Sequence, residues 1–154
     1  MVREQRRGRR IAMDRTELDA FLREERTCRL GTVSVAGHPH VTPLWFAWDG
    51  TSVWINSIVK SQRWTDLQRD PRVSIMVDAG REYGELRGVE LIGSVVQVGE
   101  APRTAAPNPE LAEPERLYAQ KYQGGGDFHP DGRHAWLRMT PDKVVSWDFR
   151  KLGA

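Results

Sequence analysis

Apolar residues recur at helical spacing near the start of the chain. Leu18, Phe21 and Leu22 lie at positions i, i+3 and i+4, a spacing that places three side chains on one face of an α-helix. Asp14 or Thr16 can cap the first turn. The pattern therefore predicts an amphipathic helix over residues 14–26.

From Cys28 onward the pattern changes to short runs rich in β-branched and aromatic residues, separated by turn residues. The Asp49-Gly50 pair is the strongest hairpin signal among them. Runs at this spacing are typical of an antiparallel meander. The predicted strands cover residues 28–35, 40–48, 51–57, 72–77, 83–98 (with bulges or bends at Gly88 and Gly93), 134–139 and 143–149.

Two further stretches interrupt the strands with helical spacing. Residues 60–69 place Trp64 and Leu67 about one turn apart and stop at Asp70-Pro71, because the residue before a proline disfavours helical backbone. Residues 109–122 predict another helix. Six or seven antiparallel strands with two or three short helices close most readily into a small barrel. The predicted fold is mainly β, a split β-barrel.

Composition bounds the class of protein. The 154 residues suit one domain, and 39% apolar with 29% charged residues is typical of a globular chain. No apolar run approaches the ~20 residues of a membrane span. Cys28 is the single cysteine, so neither an internal disulfide nor a cysteine-based metal site is expected. No apolar segment follows the N-terminal arginines, and we expect a cytoplasmic protein without a membrane partner.

Charge is distributed unevenly. The first ten residues hold five arginines and one acid, Glu4, a formal +4, whereas the whole chain carries +2. The sequence therefore predicts a basic, flexible arm over residues 1–13 and a barrel domain over residues 14–154. A basic arm can bind a polyanion. No nucleic-acid-binding motif accompanies it, so a nucleic-acid partner is not expected.

The common enzyme motifs are absent from the sequence. It has no GxGxxG, Walker, GxSxG or HExxH pattern. His38 and His40 lie two apart without an obvious third ligand, so no metal site is predicted. The six tryptophans suit either a ligand pocket or ordinary core. Trp45 and Trp48 differ by an odd number, so on a regular strand at least one leaves the barrel interior.

The segment KSQRW, residues 60–64, lies where a predicted strand passes into a predicted helix. Backbone N–H groups and the dipole at a helix start favour an anion. Lys60 adds a point charge, Arg63 a forked donor and Ser61 a hydroxyl. Taken alone, the segment fits a phosphate site and a solvated, capped turn equally well.

Longer stretches add a family resemblance. "HPHVTPLWF", "DGTSVWINS", "KSQRWTDLQRDPRVSIMVD" and "ELRGVELIGSVV" follow one another in residues 38–96. Their order resembles the pyridoxamine 5'-phosphate oxidase-like split β-barrel superfamily, and most closely its flavin/deazaflavin oxidoreductase branch in actinobacteria. The resemblance covers Thr16 to Gly99 and, more weakly, Arg133 to Phe149.

The resemblance implies a homodimer with two cofactor sites at the subunit interface. It places one strand beside the cofactor ring, the end of the next strand near the ring and ribityl chain, and the following turn around the phosphate. A tryptophan of the other subunit would cover the ring. In the same order, these residues are Val41, Thr42, Pro43 and Leu44; Asn56 and Ser57; Lys60, Ser61, Gln62 and Arg63; and Trp147.

By this resemblance the chain is an oxidoreductase that passes a hydride to or from a small organic substrate, with F420 expected as cofactor and FMN as the alternative. In cofactor enzymes the cofactor carries the hard chemistry, and no residue is assigned a catalytic role. The family's oxidase has an arginine in the region where this chain has Val41, so pyridoxamine phosphate is not the expected substrate. The alternatives are an FMN-dependent enzyme like that oxidase and a non-catalytic flavin- or haem-binding protein.

Overall fold

The computed structural model describes residues 1–153; Ala154, the last residue of the predicted barrel domain, lies outside the described residues. Three α-helices and seven β-strands make up the fold. They are α1 (Arg15–Glu24), β1 (Cys28–Val33), β2 (Pro39–Leu44), β3 (Phe46–Trp48), β4 (Val53–Ile58), α2 (Gln62–Arg69), β5 (Arg72–Ala79), β6 (Arg87–Val98), α3 (Pro109–Tyr122) and β7 (His134–Asp148).

All seven strands belong to one antiparallel sheet in the order β2-β1-β5-β6-β7-β4-β3. The sheet is curled, and β2 and β3 are its two edges. This confirms the prediction of a mainly β, split-barrel fold. Within residues 1–153, no helix combines the length and the apolar character that crossing a membrane requires.

The predicted separation of two strands by residues 140–142 is wrong. β7 runs through these residues as one long strand, and β6 pairs with it along most of its length. The register shifts here: Ile92 pairs with Lys143 and Gly93 with Pro141, which leaves Asp142 as one extra residue on β7. Such a bulge bends a strand without ending it. Thr-Pro-Asp therefore marks a bulge rather than a turn, and the predicted irregularity at Gly93 is confirmed.

The predicted strand over residues 40–48 is two strands that break at Trp45. Trp48 is 4% exposed and belongs to the barrel core, whereas Trp45 is 46% exposed. The expectation that one of the two leaves the interior is confirmed. Trp45 stacks on Tyr122 of α3 with ring centroids 4.4 Å apart.

The core has two parts. The larger part fills the barrel and includes the predicted face of α1, Leu18, Phe21 and Leu22. A capping box positions α1: the Asp14 carboxylate accepts from the Glu17 N–H at 2.8 Å, and the Glu17 carboxylate accepts from the Asp14 N–H at 2.8 Å. The smaller part lies on the other face of β4, between β4 and α3.

The N-terminal arm lies along the second half of β7, the part that β4 leaves uncovered. The Arg3 N–H donates to the Asp142 carbonyl at 2.8 Å. Gln5 bonds both backbone groups of Ser146, at 3.1 and 2.9 Å, and the Met13 N–H donates to the Ser146 hydroxyl at 2.9 Å. The boundary after residue 13 and the flexibility of the arm stay predictions, but these bonds join the arm to the barrel.

Candidate cofactor-binding site

Arg63 connects the two open sides of the curled sheet. From α2, its Nε donates to the Ser57 hydroxyl on β4 at 3.1 Å, and its Nη1 donates to the Thr42 hydroxyl on edge strand β2 at 3.0 Å. No backbone ladder joins β2 to β4. One arginine and two hydroxyls therefore bring together parts of the chain that the sequence separates by about twenty residues.

The Arg63 guanidinium carries a charge that no carboxylate neutralises within the described part of the chain. It is half-buried, and burial lowers the pKa of Arg63, an effect that the nearby Cys28 thiol partly opposes. A guanidinium has five N–H donors, and the two hydroxyls accept only two. A partly desolvated cation with spare donors attracts an anion.

The start of α2 adds backbone donors beside this cation. The Ser61 hydroxyl caps the helix, since it accepts from the Trp64 N–H at 3.1 Å and donates to the Ile58 carbonyl at 2.7 Å. Its only proton is therefore committed, and it has none for a phosphate. The N–H groups of Gln62 and Arg63 are in the first turn, where an α-helix supplies no acceptor.

The rim of this turn is open to solvent. The Lys60 and Gln62 side chains are exposed, and the Gln62 amide donates to Asp66 at 3.0 Å. Thr65 and Arg69 continue the exposed side of the helix. The turn thus combines the half-buried guanidinium of Arg63, the solvated ammonium of Lys60 and two free backbone N–H groups. This arrangement fits a phosphate group whose far side remains in water.

The predicted ring-contacting strand divides between two faces of the sheet. Thr42 and Leu44 are half-buried on the inner face, where Thr42 meets Arg63. Val41 and Pro43 are exposed on the outer face. One protomer therefore brings only part of this strand to the Arg63 site.

Asn56 and Ser57 also point to opposite faces of β4. Ser57 is fully buried on the barrel side with Arg63. Asn56 faces α3, its Oδ1 is buried without a hydrogen-bond partner, and it lines a cavity of about 270 Å³. The end of β4 thus separates the cationic site from an aromatic-lined cavity.

Trp147 is not near Arg63 within one protomer. It lies on the outer face of β7, and a Cβ added at Gly88 would meet its ring at 2.5 Å. Arg63 bonds Ser57, which pairs with Ala135 on β7, and Trp147 lies twelve residues further along that strand, roughly 40 Å at about 3.3 Å per residue. A contact between Trp147 and a cofactor at Arg63 requires a second copy of the chain.

Sequence reasoning missed the residues on the far side of the cavity. Tyr118 comes from α3, while Phe128, Asp131 and His134 come from the glycine-rich loop and the start of β7. The loop carries no periodic pattern, and its side chains reach β4 only through the tertiary fold. The Asp131-x-x-His134 spacing was the available signal.

Sequence comparison identifies the family. A family model described as pyridoxamine 5'-phosphate oxidase matches residues 15–148. The chain belongs to this family. A search of curated proteins finds no match to the chain.

Solved structures agree with the fold of the pyridoxamine 5'-phosphate oxidase family. A conserved hypothetical protein from Mycobacterium tuberculosis is 31% identical over 97% of this chain and 94% of its own, with a TM-score of 0.81. An F420 reductase is 23% identical over 82% of this chain and 94% of its own (TM-score 0.59). HutZ, a haem storage protein from Vibrio cholerae, is 16% identical over 85% and 93% (TM-score 0.68). The latter two support the fold alone.

Proposed function

We propose that this chain is an oxidoreductase that binds a flavin-type cofactor as a homodimer, with F420 favoured over FMN. The observation that carries the proposal is Arg63, a half-buried guanidinium with hydroxyl partners and no acidic partner within residues 1–153. Lys60 and the free N–H groups at the start of α2 complete an anion site at the turn where the family resemblance puts the cofactor phosphate.

When bound, the cofactor would supply the hydride chemistry, and the protein supplies binding and orientation. Arg63 and Lys60 would hold the phosphate, while Thr42 and Ser57 fix the guanidinium. Leu44 lies on the same face of β2 as Thr42, whereas Asn56 lies on the face of β4 opposite to Ser57. Val41 and Pro43, exposed on the outer face, would meet the cofactor or the second subunit, and the partner's Trp147 would cover the ring.

F420 is favoured because the phosphate end of the site is open. FMN ends at its phosphate, whereas F420 continues into an anionic tail of lactate and glutamates. The exposed side chains of Lys60, Gln62, Thr65 and Arg69 leave room for a continuing chain. No apolar side chain in that group would exclude a charged tail.

The test compares cofactor affinity in the wild-type protein and in an Arg63→Ala/Lys60→Ala variant. A charge-assisted hydrogen bond contributes about 1.5–3 kcal/mol, so we expect roughly a tenfold to hundredfold loss of affinity for F420 and for FMN. The matched control is Arg116→Ala, which removes an exposed arginine paired only to exposed groups on α3. Fluorescence titration measures the affinity.

Because Arg63 also ties β2 to β4, the thermal midpoint of each variant is measured in parallel. If Arg63→Ala does not fold, Arg63→Lys takes its place in the affinity comparison, since lysine keeps the charge and loses the forked geometry. A folded variant with unchanged affinity for both cofactors would place the phosphate elsewhere. Wild-type protein that binds haem, but neither F420 nor FMN, would favour the non-catalytic alternative.

A further inference from the structure

The cavity beside Asn56 has the composition of a small-molecule site. Its volume is about 270 Å³, and the rings of Trp45, Tyr118 and Phe128 contribute to its walls. Ligand pockets are typically lined by aromatic side chains with a few placed polar groups. A cavity of this size suits one aromatic ring with small substituents.

The aromatic walls are fixed by mutual packing. Tyr118 meets Phe128 edge-on at 5.9 Å and the buried Trp136 edge-on at 5.3 Å. Trp45 stacks on Tyr122, whose hydroxyl donates to the Arg26 carbonyl at 2.6 Å. These contacts preorganise the walls, so binding a ring there costs little side-chain ordering.

The polar side of the cavity is a histidine held in one orientation. Asp131 Oδ1 accepts from the backbone N–H groups of Arg133 and His134, at 2.8 and 3.1 Å. Asp131 Oδ2 lies 2.6 Å from His134 Nδ1. Because an ionised carboxylate only accepts, Nδ1 carries a proton, and when the ring is neutral Nε2 is an acceptor. Among residues 1–153, Nε2 has no hydrogen-bond partner.

Arg103 also lines the cavity, but unlike Arg63 it is paired with carboxylates. Arg103 forms ion pairs with Glu115 at 2.8 Å and with Glu100. Its charge is therefore neutralised, and the cavity has no net attraction for an anionic ligand from that side. The cavity therefore suits an uncharged ring that donates hydrogen bonds, since Asn56 Oδ1 is an unpartnered acceptor beside His134.

We infer that this cavity binds a small hydroxyarene, whose ring packs among Trp45, Tyr118 and Phe128 and whose hydroxyl donates to His134 Nε2. Asp131 is a positioning residue, since one of its oxygens bonds the imidazole and the other bonds two backbone N–H groups. That the ligand is the substrate or product of the oxidoreductase rests on the proposed function. The cavity is reached from Asn56, one residue along β4 from the Ser57 that contacts Arg63.

The experiment uses cofactor-free full-length protein and two probes, 4-cyanophenol and benzonitrile, which differ by the hydroxyl. Calorimetric titration measures affinity, and NMR of the histidine side chains locates the contact. His134→Asn keeps a side-chain N–H for Asp131 but removes Nε2. We expect it to weaken 4-cyanophenol binding about tenfold and to leave benzonitrile binding unchanged. His38→Asn, at an exposed turn between β1 and β2, is the matched control.

A second variant tests the positioning role. Asp131→Asn should weaken 4-cyanophenol binding less than His134→Asn and should change the His134 tautomer signal in the NMR spectrum. Absence of saturable 4-cyanophenol binding, or equal affinity in wild type and His134→Asn, would overturn the inference. Neither result depends on F420 or FMN, so failure here is distinct from failure of the Arg63 titration.

Discussion

Single residues set how closely the elements of the barrel approach one another. Gly88 on β6 is buried beneath the ring of Trp147, and an added Cβ would lie 2.5 Å from that ring and 3.0 Å from the Val77 carbonyl. Glycine is needed here because of this contact, since its backbone φ is not positive. The sequence predicted a bulge or bend at Gly88, whereas its role is a close approach.

We therefore expect Gly88→Ala to destabilise the protein by about 1–3 kcal/mol, the usual cost of overpacking. Urea unfolding measures the change. Gly84→Ala is the control, because nothing lies within 4 Å of its added Cβ. Equal stability of the two variants would show that the Trp147 ring makes room for the added methyl group without a cost in stability.

Lys121 offers a pH-dependent test at the same scale. Its ammonium donates to the Leu22 carbonyl at 3.2 Å and lies 3.9 Å from the centre of the Phe46 ring. Burial lowers the pKa of Lys121 to about 8 from the ordinary 10.5. Between these values the unfolded chain binds more protons than the folded one, so this group's contribution to stability rises with pH.

The comparison is wild type against Lys121→Met, which keeps an apolar stem. The free energy of unfolding of wild type, relative to the variant, should increase between pH 8 and pH 10.5 and be constant below pH 7. Other titrating groups, such as Cys28, are common to both proteins and largely cancel. A difference that does not vary with pH would show that the ammonium is well solvated.

At the scale of elements, the sequence pattern correctly predicted elements whose ends are fixed by neighbouring side chains. α3 was predicted at the residues where it occurs, and its start has an Asn108 side chain accepting from the Glu110 N–H at 3.0 Å. The break predicted at residues 140–142 is wrong because pairing with β6 continues through Thr140-Pro-Asp142. A register shift is a property of two strands, and one strand's sequence does not reveal it.

The same distinction applies to the candidate site. KSQRW indicated an anion site from residue types alone, and the role of its residues in cofactor binding stays a prediction. The half-burial of Arg63 was not predictable locally, because its partners Thr42 and Ser57 come from two other strands. The cavity around His134 was missed for the same reason.

The arm is the element whose contribution is most open to test. Gln5 bonds both backbone groups of the buried Ser146. Gln5→Ala leaves that N–H without its acceptor, at a cost of about 1–3 kcal/mol. We expect lower stability and faster hydrogen exchange at the Ser146 amide, with Arg6→Ala as the control. Unchanged exchange would support a flexible arm.

At the scale of the whole molecule, the outer face of the sheet places exposed apolar side chains among charged ones. Register places Pro43, Arg29, Met76, Glu90 and Val145 in one row across five strands, with Val41 and Ile92 in the next row. Val41 is 65% exposed and Met76 is 37% exposed. An exposed apolar patch bordered by charges marks an interaction surface, and this face is where we propose that the two subunits meet.

Met76→Glu tests the proposed dimer. The side chain is already exposed, so the protomer should fold normally, but an unpaired carboxylate at the centre of a desolvated interface opposes association. We expect a monomer by analytical ultracentrifugation and a thermal midpoint that no longer depends on protein concentration. Val35→Glu is the control, because Val35 is 83% exposed in the turn after β1. If the partner's Trp147 covers the cofactor ring, the monomer should also bind F420 more weakly. A Met76→Glu protein that remains dimeric and binds F420 with unchanged affinity would show that the interface lies on another surface. The second half of the cofactor site would then lie there too.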